Sequence, residues 1–362
     1  MKLLSLFSGI GAFEKAIENI GAEYELVNYC EIDKYASKAY SLIHHVDESK
    51  NLIDVTKVSA KDITKDIDLI TYGFPCQDIS LSGKQKGFVD EDGNLTRSGL
   101  FFEAARIISG TKPKFAIAEN VKALTTKRFA EDFKTVLQTL SDIGYNSYYS
   151  VLNAQDFGIP QNRERVFIIS IRKDIDRGYT FPEKQILKLK LRDLLEKDVD
   201  EKYFLSEKAL EYILSPGTKN FYYKPEIDLD VARPLTATMH KMHRAGQDNY
   251  VSDAFVKQGI KTVLFNRQGR IKTTDVCNTL CARNPTRQLG NNNKITGVYD
   301  GSRIRKLTPK ECFRLMGFDD CDCDILIKNR ISNTQLYKMA GNSIVVNVLE
   351  QIFSELFDKY EA

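Results

Sequence analysis

With 362 residues, 42% apolar and 28% charged side chains and a net charge of +3, the chain has a globular composition and is longer than one core usually organises. These values exclude collagen-like, disordered and disulfide-stapled mini-protein classes, and no apolar run approaches the roughly 20 residues that span a bilayer. The seven cysteines, at 30, 76, 277, 281, 312, 321 and 323, are odd in number and scattered. The N-terminus is too short and glycine-interrupted for a signal sequence, so reduced thiols in a cytoplasmic protein are expected.

From residue 2 to about 175, short apolar runs alternate with helical stretches, the runs being 3–7, 26–30, 52–54, 69–72, 115–118, 148–152 and 166–171. This alternation predicts an α/β doubly wound fold, a parallel sheet with helices on both faces. Between the first two runs Phe13, Ala16, Ile17 and Ile20 recur at helical spacing, and Gly21 falls where a C-terminal cap belongs. From about 179 to 303 the alternation stops. Within 231–296 the chain carries eleven Lys and Arg residues against three Asp, a concentration that the whole-chain charge of +3 conceals and that suits a polyanion partner or a solvated loop region. From Leu336 the pattern Met339, Ile344, Val345, Val348, Leu349, Ile352 predicts a helix returning to the first part.

The first run leads into Ser8-Gly9-Ile10-Gly11 and then a helix, a turn in which glycine lets backbone approach a ligand closely. About 20 residues on, the second run ends in Cys30-Glu31-Ile32-Asp33, where a carboxylate suits a ribose diol; Glu31 also fits as a helix-capping acid. The third glycine of the dinucleotide fingerprint is missing, its place taken by Glu14, which favours a nucleoside without a pyrophosphate and argues against a nicotinamide oxidoreductase. Asp54 suits either an exocyclic adenine amine or a plain turn.

The fourth run ends in Gly73-Phe74-Pro75-Cys76-Gln77, the fifth in Glu119-Asn120-Val121, and Gln161-Asn162-Arg163-Glu164-Arg165 opens the last. One thiol, one carboxyl and two guanidiniums at the ligand-binding edge of such a sheet read as a single site. With 305–318 and Gly341-Asn342-Ser343 these segments form six motifs in the order found in DNA (cytosine-5) methyltransferases of the prokaryotic, restriction-modification or phage kind, which the sequence resembles over 3–175 and 303–352. Phe313 departs from the family's usual Trp and is expected to alter packing alone.

The resemblance implies a methyltransferase fold with a catalytic and cofactor-binding domain over 1–178, an inserted, mostly β or irregular target-recognition domain over 179–325, and a C-terminal helix over 326–362. It implies S-adenosylmethionine bound by Phe7, Ser8, Gly9, Ile10, Gly11, Glu31, Ile32, Asp54, Val55, Pro75, Asn342 and Ser343, and a cytosine extruded from double-stranded DNA. Cys76 would be the nucleophile, Glu119 a protonated donor to N3, Arg165 a partner of the O2 carbonyl and Arg163 a support. DNA contacts are expected from Gln77, Ser80, Ser82 and Lys84 in a glycine-bearing loop and, for base edges, from Arg233, Arg244, Arg283 and Arg287. No metal is expected, since His240 and His243 with Cys277 and Cys281 have loose spacings for zinc. The protein would be a monomer, chromosomal or phage-encoded, with no membrane contact, and a cognate restriction endonuclease could share its DNA site without binding it. The rival readings are a tRNA cytosine-5 methyltransferase, disfavoured because Arg314 follows Cys312-Phe313 where that branch has Cys-Phe-Thr, and a catalytically silent DNA-binding relative, disfavoured by an intact Cys76, Glu119 and Arg165.

Overall fold

The computed structural model describes residues 1–59, 63, 66–75, 88, 96–215, 217–218, 221–222, 225–259 and 303–360. Its frame is a six-stranded sheet in the order β2-β1-β3-β4-β6-β5, built from β1 (Lys2–Leu6), β2 (Glu25–Cys30), β3 (Leu69–Tyr72), β4 (Phe115–Val121), β5 (Tyr145–Asn153) and β6 (Glu164–Arg172). β1 to β4 are parallel, whereas β6 runs antiparallel to both β4 and β5. The wholly parallel sheet expected from the alternation is therefore mixed. The physical reason is that only a short connection with one 3-10 turn, Ala154–Phe157, separates β5 from β6, too short for the crossover a parallel pair needs, so they pair antiparallel. The apolar run at 52–54 is not a strand. Asn51 makes a single bridge to Tyr29 and the chain then turns.

Alternation along each strand divides the core into two layers. Leu3, Leu69, Phe115, Ile117, Phe167 and Ile169 face α1 (Ala12–Asn19), α2 (Lys34–His44) and the C-terminal helices. Leu4, Leu6, Ile70, Tyr72, Ala116 and Ile168 face α3 (Phe101–Thr111) and α4 (Ala130–Asp142). The C-terminal helical pattern is two helices and not one. After α5 (Glu207–Ile213), the pairs β7 (Gly217–Thr218) with β8 (Phe221–Tyr222) and β9 (Tyr250–Ser252) with β10 (Ile304–Lys306), α6 (Asp253–Gln258), α7 (Pro309–Arg314) and α8 (Asp320–Lys328), the chain forms α9 (Asn333–Asn342) and α10 (Val346–Tyr360). The break at 343–345 turns the chain so that α10 packs against α1.

The 205–250 stretch gathers its own small core, in which Ile213, Leu214, Ile227, Ala245, Tyr250 and Ile304 are buried together. It is joined to the C-terminal helices by a buried ion pair. Arg305 donates from both Nη atoms to Glu311, at 2.7 and 2.8 Å, and neither side chain is more than 1% exposed. Glu311 also accepts from the Thr308 and Glu196 N–H groups, so its carboxylate is fully used. Glu311→Ala would strand a buried guanidinium, and a loss of about 3–5 kcal/mol is expected in urea unfolding; a loss below 1 kcal/mol would show that the pair is dispensable.

Candidate active site

Because β6 is antiparallel, its first residues lie at the edge where β1, β2, β3 and β4 end. In register, Val121 faces Arg165 and Glu119 faces Phe167. That brings Arg165 Nε to 3.0 Å from Glu119 Oε1, while the Arg165 Nη1 donates to the Glu164 carbonyl. Glu119 Oε2 faces Gly73, where an added Cβ would stand 3.9 Å away. Burial pushes the Glu119 carboxyl up, against the opposing pull of Arg165 and Arg163, and the net shift is upward from its ordinary value. Asn120 Nδ2 donates to the Phe74 carbonyl at 3.0 Å and fixes the 73–75 turn beside it. Cys76 itself, together with Gln77, Ser80, Ser82 and Lys84, lies outside the described residues.

Arg163 does not join this pair. Its buried guanidinium donates to three main-chain carbonyls, Leu235 at 2.9 Å, Gly341 at 3.1 Å and Ser343 at 2.8 Å. Neighbouring Gln161 is fully buried and does related work, accepting from the Leu235 N–H and donating to the Leu315 carbonyl. Gly341 is required where it stands, since a Cβ there would lie 2.2–2.4 Å from the backbone of Thr236 and Ala237. Arg163 clamps 235–237 to the end of α9, where Ser343 is buried and Asn342 exposed beside it.

At the other end of the edge, the turn after β1 carries positive φ at Phe7, Gly9 and Gly11. Ser8 ties it to the Ser5 and Cys30 carbonyls. Glu31 is not the helix cap; Asp33 caps α2, and Lys338 from α9 pairs with Asp33. Glu31 instead accepts from the Gly9 N–H at 2.8 Å and the Asp33 N–H at 2.7 Å. Burial nevertheless leaves its carboxyl above the ordinary value. Asp54 does what a turn-forming Asp does, accepting from the Thr56 N–H at 3.1 Å and hydroxyl at 2.7 Å. Val55 is buried, and its carbonyl accepts from Arg106.

Two residues here escaped the sequence reading. Asn51 accepts from the Glu31 and Ile53 N–H groups and donates to the Glu31 carbonyl and Ser37 hydroxyl, fastening the end of β2 to the 51–54 segment. Ile53 holds φ +63, a strained value for a β-branched residue, and stands 58% exposed, while Ile32 is 72% exposed. Exposed isoleucines at the ends of a buried sheet are the signal that could have marked Ile53.

Of the basic residues expected to read DNA, Arg233 is held by Glu226 at 3.1 Å. Arg244 donates to the Ser215 hydroxyl and lies 5.1 Å over the Tyr212 ring. Arg283 and Arg287 lie outside the described residues, as do Cys277 and Cys281. His240 Nδ1 is on the Ala237 carbonyl and His243 Nδ1 on Asp248.

The C-5 cytosine-specific DNA methylase family model matches residues 1–358. The chain belongs to that family. It is 34% identical to an orphan methyltransferase, M.SPRI, of Bacillus phage SPR, over 99% of this chain and 98% of that one. It is 32% identical to the type II methyltransferase M.HhaI of Haemophilus parahaemolyticus, over 97% and 93%. The crystal structure of the S. pombe Dnmt2 methyltransferase superposes with a TM-score of 0.67 at 21% identity, covering 99% of both chains, a likeness of fold. The enzyme is thus a DNA cytosine-5 methyltransferase.

Replacing Arg163 by Met would leave three buried carbonyls without their charged donor. Expected is a fall of about 3 kcal/mol in unfolding free energy, only partly restored by Lys, which cannot reach three acceptors in one plane. Unfolding midpoints equal to wild type would exclude the clamp.

Proposed function

We propose that this methyltransferase moves a methyl group from S-adenosylmethionine to carbon 5 of a cytosine flipped out of a specific double-stranded DNA sequence, through a covalent bond between Cys76 and carbon 6. The observation that carries this reading is the part-buried Glu119–Arg165 pair at the sheet edge, held beside the turn that leads to Cys76.

The residues after β1 and β2 fit the cofactor. Glu31 presents a carboxylate oriented by two backbone N–H groups, with lone pairs left for a ribose diol. Ile32 and Ile53 offer apolar surface to a base, and Phe7, Ser8, Gly9, Ile10, Gly11, Pro75, Asn342 and Ser343 would complete the cradle. The cofactor supplies an electrophilic methyl on a sulfonium centre. Asp54 and Val55 shape the wall more than they bind, because Thr56 and burial occupy them.

The chain's own residues make cytosine reactive. Addition of the Cys76 thiolate at carbon 6 forms a C–S bond and pushes an electron pair toward carbon 5, provided N3 receives a proton. Burial keeps the Glu119 carboxyl protonated to higher pH than usual, and Oε2, the oxygen not paired with Arg165 Nε, is the one proposed to serve the base. Arg165 orients Glu119 and polarises the O2 carbonyl. Carbon 5, now nucleophilic, takes the methyl group. Loss of its proton and elimination of Cys76 restore the ring.

Double-stranded DNA is the macromolecular partner, gripped by the basic 231–296 segment and the 77–99 loop, with the target base extruded because a stacked ring is out of reach. Arg244, Arg283 and Arg287 are the candidate base readers. Arg233 reads bases only by exchanging Glu226 for them. Among the described residues no helix is long and apolar enough to cross a membrane, and we place the enzyme, as a monomer, with the DNA of a bacterial cytoplasm, chromosomal or phage-encoded. An endonuclease sharing its site needs no contact with it.

Cys76→Ala should abolish methyl transfer while DNA binding survives, and duplex DNA bearing 5-fluorocytosine at the target should trap a covalent adduct on denaturing gels. Turnover by the alanine variant would sink the assignment. Glu119→Gln keeps a hydrogen-bond donor but cannot deliver a proton, so the single-turnover rate should fall by roughly 10²-fold or more with cofactor affinity nearly unchanged. The same role predicts that the wild-type pH–rate profile combines a rise from Cys76 ionisation with a fall as Glu119 loses its proton, and that Glu119→Gln lacks the falling component; an identical profile shape in the variant would contradict it.

A further inference from the structure

A cluster of buried ionisable groups lies behind the glycine turn and is used by nothing above. His44, near the end of α2, has a fully buried side chain. Its Nε2 is 3.1 Å from the Ile10 carbonyl and its Nδ1 3.0 Å from Glu18 Oε1. A carbonyl and a carboxylate both accept, so the ring satisfies both partners only as the doubly protonated, positively charged imidazolium. A neutral imidazole has one N–H and satisfies only one of them.

The ring also sets the local sequence. A Cβ on Gly11 would lie 2.0 Å from His44 Nε2, and Gly11 has φ +81. With Phe7 at +54 and Gly9 at +56, the turn places three of five consecutive residues in the left-handed region, which the two glycines adopt freely and Phe7 holds only where its surroundings over-determine it. Glu31 pins it at Gly9, and His44 pins it at Ile10.

We propose that His44 is a positioning residue for the cofactor: as an imidazolium it holds the glycine turn in its binding shape, and cofactor affinity falls when the ring loses a proton. This rests on the reading that S-adenosylmethionine binds at that turn.

The groups around the ring are accounted for from each neighbouring element. From α1 come Glu18, Lys15 and Glu14, the last fully buried. Lys15 is committed to Asp319 and Asp322 at the start of α8. Tyr24 donates to Glu18 at 2.8 Å, and on α2 itself the Tyr40 ring lies 4.8 Å from His44. Burial works against a charged imidazole, but the Glu18 hydrogen bond, the Glu14 and Glu18 charges and the Ile10 carbonyl outweigh it and raise His44 above its ordinary value. The sign follows: a raised value means that the pinned turn is present below it and lost as pH rises through it. Glu14, which stands where a dinucleotide-binding turn has its third glycine, favours that charge in its ionised form, against a burial that pushes its own carboxyl up.

The test is calorimetric titration of the full chain with S-adenosylhomocysteine between about pH 6 and 9, on wild type, His44→Gln and Glu18→Gln. Wild type should bind steadily at the acid end and weaken through a step above the ordinary histidine range. His44→Gln, which has one donor and no titration, should bind roughly tenfold more weakly at the acid end and show no such step. Glu18→Gln, at a half-exposed position, should keep the fold and move the step to lower pH, because it removes a carboxylate that sustains the charge. With only four histidines in the chain, ring NMR signals can assign the midpoint to His44. A step that stays in place in Glu18→Gln, or a His44→Gln profile matching wild type, overturns the proposal; if His44→Gln fails to fold, Glu18→Gln decides alone. Absence of binding by wild type at every pH would overturn the cofactor reading itself, a result distinct from pH-independent binding, which overturns only the role of His44.

Discussion

The antiparallel pairing of β6 with β4 is the constraint on which the site depends. In a wholly parallel sheet the start of β6 would lie at the far edge, a strand's length from Glu119. Reversed, the strand delivers Arg165 opposite Val121 and lets its guanidinium reach Glu119. The pair is part-buried, and the arginine has a further contact in the Glu164 carbonyl. An isolated charge there would be expelled or neutralised.

The same reversal starts the chain of contacts that joins the two halves of the molecule. Gln161 and Arg163 precede β6 and use their side chains on main-chain atoms of 235, 315, 341 and 343. Backbone carbonyls make poor sequence signals, since any residue supplies one. They make good anchors, because their positions are set by helices and turns. The Arg305–Glu311 pair performs a similar task further along, tying β10 to α7. Segments that look irregular in sequence are thus held by a few buried charged groups together with a small apolar core of their own.

Much of the site was legible because its residues sit at the ends of short apolar runs, and the ligand-binding edge of a doubly wound sheet follows from that topology. Glu119 and Arg165 were recognisable in this way, as were the glycine turn and Glu31. Arg163, grouped with the catalytic residues by its motif, precedes β6 and spends its guanidinium on the carbonyls of 235, 341 and 343. Asp54 belonged to an apolar run that is no strand, and Asn51, which does the fastening there, has no pattern that marks it. His44 falls on an ordinary helical repeat, and only its burial against Ile10 and Glu18 distinguishes it.

By itself the sequence determined the layered α/β frame, the order of its motifs and the chemical types present at the sheet edge, since these depend on periodicity and on glycine positions that are local properties of the chain. Strand direction, the division of labour between Arg163 and Arg165, the capture of Arg233 by Glu226 and the burial of His44 between Ile10 and Glu18 were decided only in three dimensions. Each depends on which groups face each other in the fold, and a buried charge takes its role from the partner that compensates it.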